Sequence, residues 1–125
     1  MAITGAVIEI KDLSVDSTAA RTAGATGHGI FIDGGLSTTQ SRVFLTNVQS
    51  DGHPEDGVHA VKPELHRYIS VWASYNGGHG IFMTAGGAGI GINNYLENSR
   101  SSSNSGFGIY LYEIINCTLI NPQGS

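Results

Sequence analysis

The stretch Gly27-His28-Gly29-Ile30-Phe31-Ile32 decides the fold, because the chain keeps returning to it. It comes back as Gly57-Val58-His59-Ala60-Val61 and as Gly78-His79-Gly80-Ile81-Phe82-Met83. The last copy is Gly106-Phe107-Gly108-Ile109-Tyr110-Leu111. Ile30, Val58, Ile81 and Ile109 hold matching places, 28, 23 and 28 residues apart. Apolar residues recur at every second position within each block, the period of a strand with one buried face. Each block opens on glycine, where a chain bending around a core can take a positive φ.

A second pattern follows each first one after a turn. It runs Val43-Phe44-Leu45-Thr46-Asn47-Val48, Ile69-Ser70-Val71-Trp72, Ile92-Asn93-Asn94-Tyr95 and Ile114-Ile115-Asn116-Cys117, with an earlier copy in Ile10-Lys11-Asp12-Leu13. This reading aligns Leu13, Val48, Trp72, Tyr95 and Cys117, separated by 35, 24, 23 and 22 residues, and assigns Trp72 and Tyr95 to the core. Glycine, Asn, Asp and Ser punctuate the intervals and leave no room for a helix longer than about two turns. Val61-Lys62-Pro63-Glu64-Leu65 reads as a turn, since Pro63 lacks the donor that a central ladder needs.

A block this short cannot bury its own apolar face. Stacking the blocks in parallel places the four matching apolar residues in one interior column, and turns of unequal length bulge outward without disturbing it. The expected fold is all-β, a parallel β-helix of about five short rungs, roughly 20 to 25 Å long at the usual strand spacing. An antiparallel sandwich or meander also uses short strands, but neither requires one strand-turn-strand block to recur in order. Asp12, Asn47, Asn94 and Asn116 each precede the aligned apolar position and read as a corner ladder satisfying turn backbone groups. Val71 takes that place in the middle rung, so the ladder is expected to break there.

Composition narrows the classes. The 125 residues suit one domain, residues 1–125, with the repeat-bearing region at 6–121. Eighteen glycines are about twice the usual share, and charged residues, at 13%, about half of it. The net charge is −4 and the six Lys and Arg are scattered, which argues against nucleic acid as a partner. No apolar run approaches 18 residues, so no membrane insertion is expected, and the first residues lack the pattern of a signal peptide. Cys117 is the lone cysteine and has no His beside it in sequence, so it reads as a packing residue.

The glycine-led openings and the Asn-containing second strands resemble the pectate-lyase-like superfamily of right-handed single-stranded parallel β-helices. Within it the chain is most similar to a short segment of a bacteriophage tailspike, over residues 6–121. That resemblance implies a homo-oligomeric rod, a trimer, on a virion tail or otherwise extracellular, that contacts bacterial surface polysaccharide. The calcium-binding aspartates and arginine base of lyases in that superfamily have no matching set here.

Candidate chemistry therefore rests on the residues themselves. The loop Asp51-Gly52-His53-Pro54-Glu55-Asp56-Gly57 is the densest in titratable groups. Glycoside hydrolysis needs two carboxyl groups about 5 to 9.5 Å apart. Asp51 with Asp56, or either with Glu97 from a neighbouring rung, are the catalytic candidates, with His53 as proton carrier. Asp33, Tyr75 and Arg100 are the ligand-binding candidates: Asp33 opens a turn, Tyr75 lies past a strand, and Arg100 sits in a long polar loop. His28, His79 and Phe107 share one repeat position, which points to stacking; two imidazoles would need further ligands to hold a metal, so neither metal nor cofactor is expected. Three functions follow: a structural or receptor-recognition segment contacting bacterial polysaccharide, a polysaccharide depolymerase (hydrolase or lyase), or a pure assembly module.

Overall fold

The computed structural model of the protein describes residues 2–3, 7–17, 27–34, 42–86 and 91–124. Within them the structure is all-β, without a helix, and every strand pairing is parallel. One sheet stacks β1 (Ala2–Ile3), β3 (Ile30–Asp33), β5 (Val58–Val61), β7 (Ile81–Thr84) and β10 (Ile109–Tyr112) in that order. The other stacks β2 (Val7–Asp16), β4 (Arg42–Asp51), β6 (Arg67–Trp72), β8 (Gly91–Glu97) and β11 (Ile114–Ile120). Two short strands extend it: β9 (Arg100–Ser101) pairs with β6 and with β12 (Gln123–Gly124). The chain alternates between the sheets, so each rung adds one strand to both.

The first sheet follows the glycine-led repeat. Ile30 pairs with Val58, Val58 with Ile81, and Ile81 with Ile109. Ile30, Val58 and Ile81 are fully buried, while Ile109 is half-buried on the last rung. They face Val43, Leu45, Val48, Tyr68, Val71 and Leu96 of the second sheet, and together these form one core. Gly29 sits where Ser50 and His53 press against the backbone, leaving no space for a Cβ.

The second sheet departs from the expected alignment. Its inward residues run at every second position, skip one, and resume: Val43 and Leu45, then Val48 and Ser50. The residue at the break, Asn47, has a φ of 54°. Left-handed backbone turns the strand and shifts its inward parity by one residue. Asp12, Ser70, Asn98 and Asn121 occupy the same corner, with φ of 54°, 52°, 50° and 47°. Asn and Asp adopt this conformation more readily than other side-chain-bearing residues. Their side chains bond along the stack, Asn47 Nδ2 donating to Asp12 Oδ1 at 2.7 Å and Asn121 Nδ2 to Asn98 Oδ1 at 3.3 Å.

The corner ladder exists, then, with a corrected membership. Its middle member is Ser70, not Val71. Asn94 lies inside, buried, where its Nδ2 donates to the Pro63 carbonyl and its Oδ1 accepts the His66 amide. Asn116 belongs to a second left-handed corner with Asn93. Val48 pairs with Val71, which places Trp72 one position further and turns it outward, 42% exposed. Tyr95 likewise leaves the core and pairs with Arg67 and Thr118.

Candidate functional site

The outward shift of Trp72 creates the groove with the most varied chemistry. Trp72 pairs with Arg100 across β6 and β9, and the guanidinium Cζ lies 5.8 Å from the indole ring. Tyr75, 60% exposed, follows at a left-handed turn with a φ of 59°. Asp51 reaches in from the rung below. Its Oδ1 accepts the Ser74 amide at 2.7 Å and its Oδ2 accepts Gln49 Nε2 at 2.6 Å. Ser74, Ser102 and Gln123 complete the rim of a cavity of about 360 Å³. Two exposed aromatic faces, a carboxylate, a guanidinium and several hydroxyl and amide groups thus share one opening.

The structure brings Asp51, Tyr75 and Arg100 together there, and adds Trp72, which the repeat alignment assigns to the core. The other predicted residues lie elsewhere. Asp33 ends β3 in the opposite sheet and pairs with Val61. Glu97 accepts the Tyr95 hydroxyl at 2.7 Å, beside Arg67 over the Tyr95 ring. His53 is buried: its Nε2 donates to the Val15 carbonyl at 2.7 Å and its amide to Asn76 Oδ1. Asp56 belongs to a separate cluster of histidines. Tyr68 is fully buried, its hydroxyl 3.2 Å from His66 Nδ1.

A simple signal locates both places. The 28, 23 and 28 spacing of the first sheet applies to its flanking residues as well. Twenty-three residues separate Asp51 from Ser74, and 28 separate Trp72 from Arg100 and Ser74 from Ser102. The same steps connect His28, Asp56, His79 and Phe107. In that column each side chain accepts the amide of the next rung. His28 Nδ1 accepts from Asp56 at 3.3 Å, Asp56 Oδ1 from His79 at 2.6 Å, and His79 Nδ1 from Phe107 at 2.9 Å. The expected stacking also appears, with the rings of His79 and Phe107 5.6 Å apart and 5° from parallel.

Beside that column runs a second, outward one of Phe31, His59, Phe82 and Tyr110. His59 Nδ1 lies 2.8 Å from Asp56 Oδ2, and His28 Nδ1 lies 3.3 Å from the same oxygen. Burial alone would raise the Asp56 pKa. The neighbouring imidazoles of His28 and His59 and a hydrogen bond from the His79 amide outweigh it and hold the carboxyl well below the usual carboxylate range. Burial pushes the Cys117 thiol up, which keeps it protonated and inert, in keeping with a packing role. Among the described residues, His28, Asp56 and His59 are the set whose ligand atoms, within 4.8 Å of one another, can hold a metal ion. No protein-family model, no curated protein and no solved structure matches this chain.

Proposed function

We propose that the chain is a right-handed parallel β-helix segment of a tailspike-like rod that recognises bacterial surface polysaccharide through the Trp72–Tyr75 groove. Right-handedness rests on the general rule for parallel strands joined by a crossover, which turn that way in about 98% of cases. Recognition rests on the groove's composition. A sugar ring has an apolar face that an indole or phenol ring covers, and a rim of hydroxyls that bonds to carboxylate, guanidinium and hydroxyl groups. Trp72 and Tyr75 supply the first requirement, and Asp51, Arg100, Ser74, Ser102 and Gln123 the second. This juxtaposition is the observation that carries the reading. Asp51 and Arg100 offset each other in charge, which suits a neutral glycan or one of low charge density.

The same reading makes the protein a homotrimer, on a virion tail or extracellular. Ile115 and Ile120, exposed on β11, support it as apolar surface of the kind that subunit packing covers.

The test is size-exclusion chromatography of a panel of capsular and O-antigen polysaccharides with the protein. Polymer of unchanged length should co-elute with it, and Trp72→Ala should weaken retention at least about tenfold, a loss of ~1.4 kcal/mol, without lowering thermal stability. Polymer shortened by the protein would replace recognition with depolymerisation and call for single substitutions at Asp51, Asp56 and Glu97. Neither effect on a broad panel would overturn the glycan reading in favour of an assembly module.

A further inference from the structure

We infer that His28, Asp56 and His59 form a binding site for one divalent transition-metal ion of the zinc class. It lies on the outer face of the first sheet and is independent of the glycan groove. The donor set is two imidazole nitrogens and one carboxylate oxygen, the mixture that such ions take in three-ligand sites with an open fourth position. His28 comes from the turn before β3, Asp56 from the turn before β5, and His59 from the outward side of β5. Two rungs thus fix the three donors.

Several features fit coordination better than a plain hydrogen-bonded cluster. Asp56 Oδ2 faces two imidazoles at once, His59 Nδ1 at 2.8 Å and His28 Nδ1 at 3.3 Å. The His28 nitrogen also accepts the Asp56 amide, so it carries a lone pair. A cation bound between that lone pair and the carboxylate oxygen would take the lone pair in exchange for the long bond from the amide. Ligands at about 2.0–2.1 Å around a tetrahedral ion stand about 3.3 Å apart. The His28 pair already has that separation, and the His59 pair reaches it by a small outward movement.

The surroundings hold the donors in place. Glu55 Oε2 lies 3.4 Å from His28 Nε2, and the Gly27 amide pins the same oxygen at 3.0 Å. A carboxylate behind a metal-bound imidazole fixes its tautomer and raises its basicity. Phe31 stacks on His28, with ring centroids 5.5 Å apart, and Phe82 meets His59 edge-on at 4.7 Å. Asp56 is 6% exposed, while His28 and His59 keep more contact with solvent, leaving room for a water as fourth ligand. On binding, the metal takes the place of the proton between His59 Nδ1 and Asp56, and that proton moves to His59 Nε2.

The experiment is titration of the untagged protein with cobalt(II), read by visible absorption, and with zinc(II), read by calorimetry. One equivalent should bind, with the intense d–d bands of a four-coordinate ion. His59→Phe preserves the aromatic column, since Phe31 and Phe82 flank it, and should lower affinity at least about tenfold with the circular dichroism unchanged. His79→Phe, which copies the Phe107 of the same column and lies outside the donor set, should leave affinity as it was. Absence of stoichiometric binding, an octahedral spectrum unchanged by His59→Phe, or a loss caused by His79→Phe alone would overturn the site.

Discussion

At the residue scale, the left-handed corner explains most of what the second sheet does. Asn47 spends its side chain on Asp12, but its larger contribution is conformational. It allows the chain to turn at a φ of 54° and resets which residues face inward. A β-branched side chain resists that backbone by roughly 1–2 kcal/mol. Asn47→Val should therefore lower unfolding free energy by about that amount in urea titrations. Asn47→Gly, which keeps the backbone choice and loses only an exposed hydrogen bond, should cost no more than about 0.5–1 kcal/mol. Equal losses in the two variants would show that the side-chain bond, not the dihedral, sets the corner. The middle member of the column is Ser70, and its presence there hides the corner from a reading keyed on Asn and Asp.

At the scale of the strand, the two sheets differ in how openly the sequence declares them. β3, β5, β7 and β10 keep strict alternation behind a glycine, so matching their apolar residues gives the observed register without correction. β6 and β8 do not alternate strictly. Matching Val48 to Trp72 rather than Val71 is a slip of one residue, and a slip of one turns a side chain from core to solvent. In β8 and its continuation, Asn93, Asn94 and Asn98 are all suited to a corner. Only the packing reveals that Asn94 is the buried one, held by Pro63 and His66. The first-sheet column also yields a graded test. Ile81 is fully enclosed, whereas Ile109 is half-buried on the outermost rung of the same column. Ile81→Ala should cost about 2–5 kcal/mol in chemical denaturation. Ile109→Ala should cost clearly less, because its surroundings already admit water. The reverse order would mean that the core is not centred on the middle rungs.

At the scale of the whole molecule, both candidate sites are products of stacking. Neither is a motif in the chain; each gathers residues 23 or 28 positions apart on successive rungs, such as Asp51 with Ser74 and His28 with Asp56. Tyr75 and Arg100 are legible as surface residues, but their meeting with Asp51 and Trp72 depends on a register that the Asn-rich strands obscure. The same architecture sets how stability is distributed. In a stack, each rung gains its hydrogen bonds and its buried area from its neighbours, so opening is cheapest where one side lacks a partner. β5 is paired on both sides, by β3 and β7, and Val58 and Ala60 are fully buried. Among the described residues β11 is paired on one side, by β8, and exposes Ile115, Leu119 and Ile120. Amide hydrogen exchange should therefore be slowest at β5, β7 and the paired stretch of β4, and faster at β2, β10 and β11, which have one partner each among the described residues, with the groove residues on β6 and β9 between them. If the protein trimerises through the apolar surface of β11, protection there should rise with protein concentration while β5 stays constant. Uniform protection along the stack at every concentration would mean that the rungs open together, and that nearest-neighbour stacking does not describe how this molecule holds itself.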